Sequence, residues 1–189
     1  MKLTLATNEE ISRLYLKFEK FNIVPLEEPD KLYKYIGIMD VYNRVLNEEE
    51  ACELLGRNHN LKYGIRFVST FINLFHIAGN EVYVHISKKG MTKEWLKYKL
   101  SCLNRKEASF FRKLFSNNKG LYKIYDVEAL IFLTKLSVDE LYFTDFFFPS
   151  LDTVILGNWD LCFPLYSKTA AGFNNCKEIV EGNGLFIRQ

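Results

Sequence analysis

The stretch Leu141–Tyr166, LYFTDFFFPSLDTVILGNWDLCFPLY, holds the densest aromatic run of the chain, a hairpin signature and a concentration of carboxylates. Leu141-Tyr142-Phe143 reads as the start of a strand after Ser137–Glu140. Pro149 ends the regular backbone behind Phe146-Phe147-Phe148, because proline has no N–H for a ladder and pushes the preceding residue out of the helical region. Thr153–Leu156 and Trp159–Phe163 are β-prone runs separated by Gly157-Asn158. That spacing predicts a two-residue hairpin with the glycine at a position of positive φ. The two-residue period puts Trp159, Leu161 and Phe163 on one face, and Asp160 and Cys162 on the other. Pro164 marks a point where this strand lies at an edge or finishes.

Outward from this stretch, the chain punctuates itself with caps and stripes. Thr7 and Glu10 form a capping box ahead of a helical stripe Ile11, Leu14, Tyr15, Phe18, Phe21. Pro25 and Pro29 mark a loop, and Asp30–Val45 reads as a second helix that Gly37 weakens by about 1 kcal/mol. Asn47 caps a short helix Glu48–Leu55, whose three first-turn acids suit the helix dipole. Leu61, Ile65, Val68, Ile72 and Phe75, widened by Phe67, Phe71 and Leu74, predict a central helix.

The second half alternates more. Glu81–Ile86 predicts a strand with Val82, Val84 and Ile86 inward, and Lys88-Lys89-Gly90 a turn. Thr92 opens a helix to Leu103, and Asn104 with Glu107 opens another to Phe115, closed by Asn117–Gly120. Leu121–Tyr125 predicts a strand. Asp126 caps a helix Val127–Leu136, with a buried strand over Leu130–Leu133 as the alternative. Gly172–Glu181 predicts a helix and Leu185–Arg188 a last strand. These elements sum to an α+β fold: a helical N-terminal half packed on a small, mostly antiparallel sheet built largely from the C-terminal half. One domain over residues 1–189 is expected, with residues 1–78 mainly helical and 79–189 mixed.

Composition narrows the class. Apolar residues make up 48% and aromatics 15%, which supports a sizeable core and argues against disorder. Glu9, Glu10 and Arg13 interrupt any apolar signal core at the start. The apolar window Phe67–Gly79 is shorter than the roughly 20 residues a membrane helix needs. A soluble, cytoplasmic protein without a membrane role is therefore expected. Cys52, Cys102, Cys162 and Cys176 show no C-x-x-C pairing and are read as free, mostly buried thiols.

Charge is the most distinctive global feature. The net charge is only +2, yet Thr7–Gly56 carries eleven acids against six bases, Lys88–Lys123 eleven bases against two acids, and Ile124–Cys162 seven acids against one base. Two readings follow. The acidic block predicts a face that docks a basic partner through Asp145, Asp152 and Asp160, with Trp159 or the Phe146–Phe148 run as an aromatic anchor. The basic block predicts phosphate or nucleic-acid contact through Lys97, Arg105, Lys106, Arg112 and Lys113.

No nucleotide-loop, dinucleotide or nucleophile-elbow motif is present in the sequence. His59, His76 and His85 have no metal-ligand spacing, and Asp145, Asp152 and Asp160 match no acid–base or Mg²⁺ pattern. No catalytic residue, metal or cofactor is predicted. The expected function is a non-catalytic protein-binding module, in its most concrete form an immunity or antitoxin-like inhibitor of a basic toxin or enzyme. The alternative is a nucleic-acid-binding or nucleic-acid-processing protein that uses residues 88–123.

Overall fold

The structure is a computed structural model that describes residues 1–18, 32–56, 58–87, 91–115 and 119–189. In chain order the elements are β1 (Thr4–Leu5), α1 (Asn8–Phe18), β2 (Tyr35–Asp40), α2 (Glu48–Leu54), α3 (His59–Ile77), β3 (Val82–Ser87), α4 (Lys93–Ser101), α5 (Arg105–Leu114), β4 (Lys119–Ile124), α6 (Val127–Val138), β5 (Asp145–Phe148), β6 (Thr153–Leu156), β7 (Phe163–Ser167), α7 (Ala170–Gly182) and β8 (Phe186–Arg188). The fold is α+β, with seven helices and one eight-stranded antiparallel sheet among the described residues. The strand order is β1-β4-β3-β5-β6-β7-β2-β8. No helix among the described residues is long and apolar enough to cross a membrane.

The sheet is larger than expected, and its strands are spread through the whole chain rather than gathered in the C-terminal half. The main difference is β2, where the sequence predicts a helix over 30–45. Tyr35–Asp40 fits two periods at once: the stripe that suggests a helix also alternates, with Ile36, Ile38 and Asp40 against Tyr35, Gly37 and Met39. Pairing decides it. β2 is hydrogen-bonded on both sides, to β7 (Ile38 opposite Pro164) and to β8 (Ile38 opposite Arg188).

The hairpin is also displaced. It joins β5 to β6, with Phe148 opposite Thr153 across a turn opened by Pro149. Leu141–Phe143 precedes the strand instead of starting it. Trp159–Leu161 is a 3-10 turn, not strand, so Trp159 is exposed while Leu161 and Phe163 are buried. Gly157 is not a positive-φ turn residue; the left-handed positions between β5 and β7 are Asp152 (φ 51°), Asp160 (φ 55°) and Leu161 (φ 57°). Gly157 is needed for close approach, because a Cβ there would lie 2.8 Å from Ser137 Cβ and 3.0 Å from the Thr144 nitrogen. The β6–β7 ladder runs from Thr153–Ser167 to Ile155–Leu165, so Pro164 pairs only with β2. A missing N–H is tolerated where one side of the strand is unpaired.

The sheet buries both faces, unequally. On one face lies the main core, where Phe146 and Phe148 meet α3: the Phe71 ring lies 4.5 Å from Phe146 and 6.2 Å from Phe148, and Phe67 lies 5.0 Å from Phe163. α3 also packs on α6 and α7. Loss of a fully buried ring such as Phe71 destabilises by about 3–5 kcal/mol. On the other face Leu14 and Phe18 of α1 cover Phe147, Tyr83 and Val154, with the Phe18 and Phe147 rings 5.5 Å apart. The predicted caps are present, with reciprocal bonds at Thr7/Glu10, Asn47/Glu50 and Asn104/Glu107, and single side-chain caps at Thr92 and Asp126. Phe21, the Pro25–Pro29 loop and the Lys88–Gly90 turn fall outside the described residues. Cys52 and Cys102 are exposed, against expectation; Cys162 is half-buried and only Cys176 is buried, and all four are free thiols.

Candidate interaction surface around Trp159

The site is built from the end of α6. Leu141 N–H bonds the Leu136 carbonyl at 2.8 Å and Glu140 N–H bonds that of Ser137 at 3.2 Å, a Schellman-type ending. Glu140 occupies the left-handed position (φ 54°) where glycine is usual. A non-glycine residue there costs on the order of 1 kcal/mol, and the Glu140 side chain and carbonyl offset it. Its Oε1 accepts from Asn60 Nδ2 of α3 at 3.2 Å and from the Asp160 N–H at 2.9 Å. Its carbonyl accepts from Lys99 Nζ of α4 at 2.8 Å. One residue thus ties α3, α4, the end of α6 and the Trp159 turn together.

That hub fixes an exposed aromatic. Trp159 is 57% exposed, yet its ring rests edge-on against Phe143 with centroids 4.7 Å apart, on a turn held by the Asp160–Glu140 bond. Trp159, Phe143, Tyr142, Trp95, Lys99 and Met91 line a cavity of about 340 Å³. A second cleft, of about 310 Å³, shares Leu141 with the first and lies between α3, α6 and the α4–α5 turn. At its mouth Leu61 and Ile65 are 78% and 65% exposed. The sequence places both in the core stripe, but α3 turns Phe67, Phe71 and Leu74 inward instead. Glu107, Lys135 and Asp139 supply the polar rim. Burial pushes the Asp139 carboxyl up, with Glu107 adding to the rise and Lys135 opposing it.

The four predicted docking residues separate. Trp159 and Asp160 belong to this surface. Asp145 opposes His85 and lies two residues from Phe147, on the α1 face of the sheet, where burial pushes its carboxyl up to about 7. Asp152 lies at the opposite end of the β5–β6 hairpin, with Lys17 Nζ at 2.6 Å. The three aspartates therefore share neither a face nor a reacting centre.

The basic residues also separate. Lys97 and Arg112 line a common groove between α4 and α5. Lys106 is 3.6 Å from Glu128, Arg105 starts α5, and Lys113 is exposed on its last turn. Lys123 is held by Glu10 at 3.0 Å and by Glu81.

One other polar cluster acts in structure. Asp40, 3% exposed, accepts from Arg188 Nε and Nη2 at 2.8 and 2.5 Å and from the Tyr42 N–H at 2.9 Å. Cys162 Sγ donates to the same carboxylate at 3.3 Å, and burial with the nearby negative charge pushes the thiol up to about 12. A thiol held protonated is a poor nucleophile at neutral pH. Among the described residues no three His, Cys, Asp or Glu side chains come together as metal ligands. Sequence reasoning missed Glu140, Asn60 and Lys99; nothing in Asp139-Glu140 signals a left-handed residue.

No family model matches the chain, and no curated protein or solved structure is detectably similar to it.

Proposed function

We propose that the chain is a non-catalytic protein-binding module that presents the Trp159 surface to a partner protein. The observation that carries this is an exposed indole locked in place by the Phe143 contact and the Glu140 hub, beside exposed Leu61 and Ile65. Exposed apolar area on a rigid frame favours association, because little side-chain freedom is lost when it is covered. Trp is also among the residues that dominate binding energy at interfaces. Glu107, Asp139 and Glu140 line the two cavities against Lys99 and Lys135, and Asp160 is exposed next to Trp159. That balance favours a basic partner, such as an enzyme or toxin held inactive by occlusion.

Cross-linking in the source cells, followed by hydroxyl-radical footprinting of the purified complex, tests the reading. Protection of Trp159, Leu61 and Ile65, with Leu16 on α1 (84% exposed) unprotected, is the expected result. Protection confined to α1 or to the outer face of α5 would contradict it.

A further inference from the structure

A second surface lies apart from Trp159, on the basic segment. Lys93 and Lys97 of α4 and Arg112 of α5 line a groove of about 410 Å³ with Leu96, Leu100 and Ser101. The α4 positions recur at the spacing of a single helical face, so that whole face borders the groove. Lys93, Lys97 and Arg112 are exposed, and none of them has an ion-pair partner among the described residues. Glu94 and Glu107, the carboxylates of these two helices, do not line the groove. Other cations of the segment are engaged: Lys106 with Glu128, Lys123 with Glu10 and Glu81, and Lys99 with the Glu140 carbonyl.

We infer that the α4–α5 groove binds the phosphate backbone of a single-stranded nucleic acid. Three unpaired cations without a lining carboxylate create a field that only an anion satisfies. The N-terminal end of α4, beside Lys93, adds the positive pole of its helix dipole. Lys93 and Lys97 are separated by about 6 Å along the helix axis, a step comparable with that between successive phosphates. The floor selects among anions. Leu96 and Leu100 are partly buried against the core, below the exposed cations. A single strand offers ribose and base faces to such a floor, whereas a duplex keeps its bases stacked inside. A membrane surface would favour apolar residues that project beyond the cations, not ones sunk beneath them.

The test is fluorescence anisotropy of a labelled 15-nucleotide single-stranded RNA against the full chain, titrated at several salt concentrations. Each phosphate contact contributes about 0.7 to the slope of log K on log salt for a single strand. Replacing all three cations (Lys93→Gln, Lys97→Gln, Arg112→Gln) is therefore expected to reduce that slope by about 2. A triple variant with the same charge change elsewhere (Lys34→Gln, Lys62→Gln, Lys177→Gln) is expected to keep it, and so is Trp159→Ala. Circular dichroism shows whether each variant is folded. No binding of RNA by the wild-type chain at low salt, or equal slopes for the two triple variants, would overturn the inference. So would groove-dependent binding of phosphatidylserine vesicles or poly-glutamate that exceeds binding of the RNA. Failure here leaves the Trp159 surface untouched, because none of Lys93, Lys97 and Arg112 lines it.

Discussion

Two charged residues tie distant elements together, and their surroundings differ. Lys123, 21% exposed, lies beneath α1 with Glu10 at 3.0 Å, Glu81 beside it and the Tyr83 ring 5.6 Å away; Tyr83 Oη in turn donates to Glu10 at 3.0 Å. Glu140 joins as many elements, but it lines a cavity beside an exposed tryptophan. Charged hubs of similar connectivity thus serve different ends. The Lys123 hub closes a seam between α1 and the sheet. The Glu140 hub holds a left-handed residue in place so that apolar side chains stay exposed in a fixed arrangement, and strain of that kind persists where the surroundings over-determine it.

The contrast can be broken by substitution. The largest effect is expected from Trp159→Ala, which should weaken partner binding by 30-fold or more, about 2 kcal/mol or above for an interface anchor. It should change unfolding stability by only about 1 kcal/mol, the loss of the edge contact with Phe143. Titration calorimetry and chemical denaturation measure the two quantities. Lys123→Met should do the reverse. It leaves Glu10 and Glu81 without their cation, at an expected loss of about 2 kcal/mol of stability, with partner affinity unchanged.

The same seam carries a pH signature. The Thr7 N–H, then Lys123 and Tyr83, hold the Glu10 carboxyl down at about 2. A carboxyl depressed in the folded state contributes stability above its unfolded value, and that contribution is lost as pH falls toward 2. Denaturation midpoints between pH 5 and pH 2 should therefore fall less steeply in Glu10→Gln than in the wild type. Asp145 has the opposite sign. Its carboxyl is pushed up to about 7, so the stability present below the unfolded value of about 4 is lost as pH rises from there through 7. Asp145→Asn should gain about 2–4 kcal/mol at pH 8 relative to its effect at pH 4, read from denaturation at both values.

A smaller effect is expected at Glu140 itself. Glu140→Gly relieves the left-handed strain, on the order of 1 kcal/mol, and removes the side-chain bonds to Asn60 and Asp160, which contribute about 1.5–3 kcal/mol as bonds to a charged group. The net loss of about 1 kcal/mol should come with faster hydrogen exchange in the 157–162 turn, while exchange in α1 stays unchanged.

What could be read from the sequence was what is local. The caps at Thr7, Asn47, Thr92, Asn104 and Asp126 depend on neighbours two or three residues away, and each is present. β2 was not legible, because the partners that select strand over helix lie more than 120 residues away in β7 and β8. Gly157 resembled a turn glycine, but what it avoids is Ser137, a residue on α6 that sequence cannot bring near it. The site was half visible. Trp159 and Asp160 stand out as an aromatic and an acid in a polar turn, whereas Glu140 as hub and Leu61 as exposed become evident only when α3, α6 and the turn converge. The acidic block itself misled, since three aspartates close in sequence are sent to different faces and ends of one hairpin by the strand period and its turns.

Both tryptophans of the chain, Trp95 and Trp159, line the same cavity, which makes the central claim directly measurable. In a Trp95→Phe variant the remaining fluorescence comes from Trp159 alone. Acrylamide quenching of that signal should be strong in the free protein and fall at least twofold when the cross-linked partner is added. Unchanged quenching in a complex confirmed by light scattering would show that the partner docks elsewhere and would contradict the account.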